Sequence, residues 1–189
     1  MTCCSKLFKD NAAICRDSTS QIIINPVSQC ENGLAGNYPC KDYDLLAFIP
    51  ISEMGSLGIE GNDCWGWTDP GTNKEYALMG TTQGVTFIDI SDPANAFIVG
   101  TLPTHTVNSD WRDVKVHKSI AYIVSEAADH GMQIFNLRRL AGVTNPPVEF
   151  SADRHYNKFI YGNCLVIRIF CSFKCIRKKS RINAVICEN

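Results

Sequence analysis

The side chains that could do chemistry are few, and their surroundings decide what they can do. Ser125, Asp129 and His130 supply the residue types of a nucleophile, an acid and a base within a few positions. A hydroxyl becomes a nucleophile only when a scaffold holds it against its base, and no Gly-x-Ser-x-Gly elbow surrounds Ser125. Zinc needs converging His, Cys or carboxylate ligands, yet no His-Glu-x-x-His occurs, and Cys171-Ser-Phe-Lys-Cys175 lacks a second paired half. The glycines from Gly55 to Gly61 lack the Lys-Ser/Thr of a phosphate-cradling loop. Asp89 and Asp92 could offer oxygens to calcium, but one short corner supplies too few ligands. Asp89, Asp92 and Pro93 read instead as a structural turn, in which carboxylates accept backbone N–H groups and proline fixes the bend. No catalytic residue, metal site or cofactor is therefore expected. His105, Trp111, Arg112, Asp113, Glu126, Asp129 and His130 remain as candidate binding-face residues, because all stand at or beside the ends of expected strands, where loops gather. Arg112 beside Asp113 also suits structural hydrogen bonding. Trp65, Trp67 and Trp111 suit filling the space between sheets.

What must position these residues is a β-protein. From Trp65 to Phe150 the chain alternates short Val/Ile/Tyr/Phe-rich runs with Gly, Asn, Asp and Pro punctuation, the pattern of consecutive hairpins. Four strands are expected at about Cys64–Thr68, Glu75–Gly80, Gly84–Ile90 and Phe97–Leu102. Four more are expected at about Arg112–His117, Ile120–Ser125, Met132–Leu137 and Val148–Phe150. Several middle strands are almost wholly apolar, which predicts sheets covered on both faces. The two groups repeat one another. Tyr76-Ala-Leu-Met79 recurs as Tyr122-Ile-Val-Ser125 at an offset of 46, the Gly84 segment recurs from Gly131 at 47, and Trp67 and Trp111 stand 44 apart. A four-stranded unit with a period of roughly 40–50 residues is the signature of a propeller blade, with a β-sandwich of similar hairpins as the alternative.

Charge and cysteine divide the chain differently. Residues 158–189 hold seven Lys/Arg against the single acid Glu188, whereas residues 1–157 hold 11 bases and 18 acids. The acidic body argues against a nucleic-acid partner. The ten cysteines crowd into residues 1–64 and 164–187. Cys30 and Cys40 bracket a Gly/Pro/Asn-rich loop and are the expected disulfide; in a reducing compartment they would be free thiols. Residues 1–14 contain no apolar core of an export signal. The most apolar tail stretch, from Phe159 to Cys171, is too short and too interrupted to span a bilayer.

Seven motifs taken together resemble the LVIVD-repeat, or choice-of-anchor B, family of extracellular β-propellers. They are Cys30-Glu-Asn-Gly-Leu-Ala-Gly-Asn-Tyr-Pro-Cys40, Asn62-Asp-Cys-Trp-Gly-Trp67, Glu75-Tyr-Ala-Leu-Met-Gly80, Gly84-Val-Thr-Phe-Ile-Asp-Ile-Ser-Asp-Pro93, Trp111-Arg-Asp-Val-Lys-Val116, Ser125-Glu-Ala-Ala-Asp-His-Gly-Met-Gln-Ile-Phe135 and His155-Tyr-Asn157. The resemblance covers residues 30–157 and stops at Asn157. It implies an all-β fold: a partial propeller of about two four-stranded antiparallel blades, near 62–102 and 111–150. An irregular lead-in at 1–29 would precede them, and a non-homologous basic tail at 158–189, read as a transcript artefact, would follow. Further blades and an export signal are expected to lie beyond this chain. The implied function is a secreted or cell-surface module that binds a protein or glycan. A hydrolytic or metal-dependent enzyme built on loops at the propeller mouth is the alternative, and a non-functional fragment is a third reading.

Overall fold

The computed structural model describes residues 28–56 and 59–157, together with the backbone of β1 (Cys15–Arg16), β2 (Ile22–Ile23) and β15 (Val185–Ile186). The expected lead-in, the basic tail and the Cys171/Cys175 pair otherwise lie outside the described residues. Between them run β3 (Leu34–Ala35), β4 (Tyr38–Pro39), β5 (Ala47–Phe48), β6 (Gly61–Thr68), β7 (Glu75–Thr81), β8 (Gly84–Asp89) and β9 (Phe97–Pro103). There follow β10 (Arg112–His117), β11 (Ile120–Ser125), β12 (Met132–Asn136), β13 (Val148–Glu149) and β14 (Arg154–Tyr156). The fold is all-β, and its two main sheets are antiparallel meanders. One runs β6, β7, β8, β9, with β13 added at the edge, and the other runs β10, β11, β12, β14.

The expected strands form close to their expected positions, but the last one pairs elsewhere. Val148–Glu149 does not close the second sheet; it joins β9 in parallel, with Val148 opposite Gly100 and Glu149 opposite Thr101. The strand beside β12 is Arg154–Tyr156, in the register Met132 with Tyr156. The reason lies in Phe150, whose ring sits 5.7 Å from Phe87 of the first sheet and 5.1 Å from Phe135 of the second. Seating this aromatic between the sheets draws the preceding two residues onto the first sheet's edge.

Two glycines mark the equivalence of the repeats. Gly84 (φ +154°) opens β8 and Gly131 (φ +61°) immediately precedes β12, the third strands of their sheets, and a Cβ on either would collide with a carbonyl of the fourth strand, Leu102 O or Tyr156 O respectively. Both positions demand glycine, for close backbone approach as well as for φ. The turns that end these third strands match too: Asp89 Oδ1 accepts Ser91 N–H at 3.0 Å, and Asn136 Oδ1 accepts Arg138 N–H at 3.2 Å. The tryptophan spacing has no such meaning. Trp67 pairs with Tyr76, whose counterpart Tyr122 pairs with Lys115, so Lys115 stands where Trp67 does.

The sheets stack face to back. Tyr76 and Leu78 of β7 and Val85 and Phe87 of β8 point into a core shared with Val114, Ala121, Ile123 and Phe135 of the second sheet. At its centre the rings of Phe87 and Phe135 stack at 4.7 Å. By the repeat alignment, the counterparts of Tyr76, Leu78 and Phe87 are Tyr122, Val124 and Ile134, which lie on the far face of the second sheet. The first sheet's own back face, with Ala77, Met79, Ile88 and Ile98, is covered by Ala47, Ile49, Ile51, Met54 and Ile59. This explains why all six residues of β8 are buried.

A carboxylate clips the stack. A bulge in β6 between Gly61 and Cys64 turns Asp63 toward the neighbouring sheet, where its Oδ2 accepts Val114 N–H at 2.9 Å and Lys115 Nζ at 3.1 Å. Lys115 also lies over the Trp65 ring, 5.0 Å from its centroid. Asp63→Ala leaves the Val114 donor unpaired and is expected to cost about 1–3 kcal/mol in denaturant unfolding. Gly131→Ala forces β14 away from β12; amide exchange should show loss of protection confined first to Met132, Ile134 and the strand 154–156.

Candidate functional site

Polar chemistry concentrates at the end of the stack where β7 and β9 stop and β10 begins. Arg112 opens β10 facing the interior and is 1% exposed. Its Nε donates to Thr81 O at 2.9 Å, and its Nη2 donates to Thr104 Oγ1 at 2.9 Å. Its Nη1 lies 3.0 Å from His130 Nε2. A guanidinium only donates, so His130 Nε2 accepts and Nδ1 carries the proton, which it gives to Gly131 O at 3.1 Å. His155, on β14, donates from Nε2 to His130 O at 2.5 Å. His105, in the loop after β9, stacks on His155 with ring centroids 3.4 Å apart and stands edge-on to His130 at 6.5 Å. Below them Gln133, on β12, is buried and donates to Pro103 O at 3.0 Å.

Burial sets the electrostatics. Loss of hydration lowers the Arg112 pKa to about 10. It lowers that of His130 to about 4; the bond to Gly131 opposes this, and the neighbouring Arg112 and His105 reinforce it. Partial loss of hydration also lowers the His105 pKa, with His155 adding to the effect. The layer is thus held with its central imidazole neutral.

The sequence candidates divide between this layer and the surface. His105, Arg112 and His130 come together. Asp113 falls on the opposite face of β10, and Glu126 and Asp129 are exposed on the loop before β12, Asp129 at φ +58°. Trp111 is 64% exposed rather than packed between the sheets, whereas Trp67 is buried and stacks on Tyr76 at 5.5 Å. His155 and Gln133 escaped sequence reasoning as members of the cluster, because only the register of β14 against β12 brings His155 opposite Gln133. The triad residue types do not meet: Ser125 Oγ accepts Ala127 N–H at 3.2 Å, and His130 Nε2 is engaged by Arg112. Among the described residues no three His, Cys, Asp or Glu side chains converge as metal ligands.

The turn residues have structural partners. Asp92 accepts Ala94 N–H at 3.2 Å and Asn95 Nδ2 at 2.7 Å, capping the 3-10 turn that Pro93 opens. Asp89 pairs with Lys74 Nζ at 3.0 Å. Burial opposes its charge, but the Ser91 hydrogen bonds and Lys74 prevail and hold its carboxyl below the ordinary value. Cys30 and Cys40 form a disulfide with Cα atoms 5.8 Å apart, within bridging range. Structural disulfides persist in oxidising compartments. No helix among the described residues is long and apolar enough to cross a membrane. Compared with known proteins, the chain matches no family model, no curated protein and no solved structure.

His130 dictates a pH dependence. The folded chain holds it neutral down to about pH 4, while the unfolded chain protonates it near 6.5. The unfolded state therefore binds more protons in that window, and stability falls as pH drops from 6.5 to 4, by about 3 kcal/mol in all. Urea unfolding between pH 8 and pH 4 should show this slope, and His130→Gln, which keeps an acceptor for Arg112, should flatten it.

Proposed function

We propose that the chain is a pair of blades from a β-propeller of the LVIVD-repeat kind, acting as a secreted or cell-surface module that binds a protein or glycan and catalyses no reaction. The observation that supports the propeller reading is the face-to-back stack. In a two-fold sandwich equivalent faces meet each other and the assembly is finished. Here the face bearing Tyr76, Leu78 and Phe87 meets the opposite face of its repeat, which is the geometry of a series. A series of four-stranded meanders closes as a ring of blades.

The binding reading draws on the loops. Val107 and Trp111 are 68% and 64% exposed in the connection between the sheets, and Glu126 N–H donates to Trp111 O at 3.3 Å, setting the backbone of an exposed acidic residue against that of the exposed tryptophan. An indole face edged by polar groups suits stacking on a sugar or an apolar side chain at low entropic cost. The disulfide supports placement in an oxidising compartment.

Both parts are testable. Appending a further copy of residues 104–157 after Asn157 should raise the melting temperature and reduce dye binding to exposed apolar surface. Placing Val124→Asp and Ile134→Asp in the original second sheet should abolish that gain; an unchanged gain counts against the stack. On immobilised glycan and protein panels, Trp111→Ser should lose the signal while Ser125→Ala keeps it. Loss with Ser125→Ala alone would favour an enzyme.

A further inference from the structure

The basic layer at the end of the stack has an unusual balance. Three of the chain's four histidines share it with a buried arginine. Their hydrogen bonds run to carbonyls, to a threonine hydroxyl and to one another. Among the described residues none runs to a carboxylate, and the ion pairs lie elsewhere. The neighbouring acids are turned away or engaged: Asp113 is on the other face of β10, Glu126 and Asp129 are exposed, and Asp153 binds Asn136 N–H and Arg139. Arg154 alternates with His155 onto the opposite face of β14.

A guanidinium buried without an anion bears a large desolvation cost, which a partner carboxylate offsets. Among the described residues three of the five N–H donors of Arg112 are used, leaving one on each Nη. Two buried side-chain atoms, Gln133 Oε1 on β12 and Thr106 Oγ1 next along the chain from His105, have no hydrogen-bond partner among the described residues. Gln133 Oε1 can only accept, while Thr106 Oγ1 can do either. The complement of this set is one molecule that offers two acceptor oxygens to Arg112 and a hydroxyl to Gln133. The cover is a side chain: His105 is exposed and stacks on His155, on a loop whose ends are held by Thr104 N–H on Gln83 O at 2.8 Å and Ser109 N–H on Thr82 O at 3.1 Å.

We propose that this layer is a binding site for a small carboxylate that also carries a hydroxyl group. The carboxylate accepts from the two remaining Nη–H groups of Arg112, the hydroxyl donates to Gln133 Oε1, and Thr106 closes the set beneath His105. A sugar acid, free or as the end of a glycan, has this chemistry. The inference refines the binding-module reading by naming a ligand class, and it makes no use of the stacking of further blades.

The test is calorimetric titration of the full chain with sodium glucuronate, sodium acetate, glucose and sodium chloride at equal ionic strength and pH 7. Glucuronate should bind, and acetate and glucose should each bind more weakly by about tenfold or more, the loss expected for a missing hydrogen-bonding group. Thr106→Val and His105→Ala, which leave the buried core intact, should weaken glucuronate by a similar factor while melting like the parent chain. Glucuronate binding no better than acetate, glucose or chloride overturns the proposal, as does binding unchanged in both variants. If glucuronate fails while the appended-repeat protein still gains stability, the site is wrong and the propeller reading stands. A glucuronylated oligosaccharide added as a further arm separates a glycan end from a free acid by the tighter binder.

Discussion

The stack of Phe87 on Phe135 is the contact on which the rest of this structure depends. It lies within the core that the two main sheets share, where the faces that meet are non-equivalent: the front of one meander and the back of the next. A third ring, Phe150, wedges beside both and draws a two-residue strand across to the first sheet's edge. Because β8 is apolar toward both sides, it must be covered on both. The second sheet covers one side and the segment around Ile49 and Met54 covers the other. The hydrophobic requirement of a single strand therefore recruits three parts of the chain.

The polar groups at the margins of this contact are arranged around it. Asp63 reaches from a bulge to take up a β10 amide that has no strand beside it, so the edge of one sheet is satisfied by a side chain of the next. At the far end of the shared layer Arg112 takes up the carbonyl that ends β7 and orients His130, whose carbonyl in turn holds His155 on the last strand. That chain of donors runs from the first sheet to the outermost strand of the second. The same burial that keeps His130 neutral surrounds the guanidinium, which meets no carboxylate among the described residues.

Much of the local structure was legible because its causes are local. Strand positions followed from runs of β-branched and aromatic residues between turn formers, and the Asp92-Pro93 corner from the capping chemistry of those two side chains. The Cys30–Cys40 bridge followed from a short closable loop. The repeat was legible through Tyr76 and Tyr122 and through Gly84 and Gly131. The tryptophan spacing, though numerically similar, was not part of it, because Trp111 precedes β10 and Trp67 lies within β6. Pairing partners were harder to read. Val148–Glu149 has the composition of a strand wherever it pairs, and only the seat available to Phe150 determines which sheet it joins.

By itself the sequence determined that the chain is β-rich, where most of its strands run and which carboxylates turn the corners, since each depends on backbone preferences and neighbours a few residues away. Only the tertiary structure decided that the meanders stack front to back, that Asp63 clips them, and that His155 and Gln133 join His105, His130 and Arg112 in one layer. Those outcomes depend on register and on which faces share a core, and such contacts join residues tens of positions apart through shapes that no local pattern encodes.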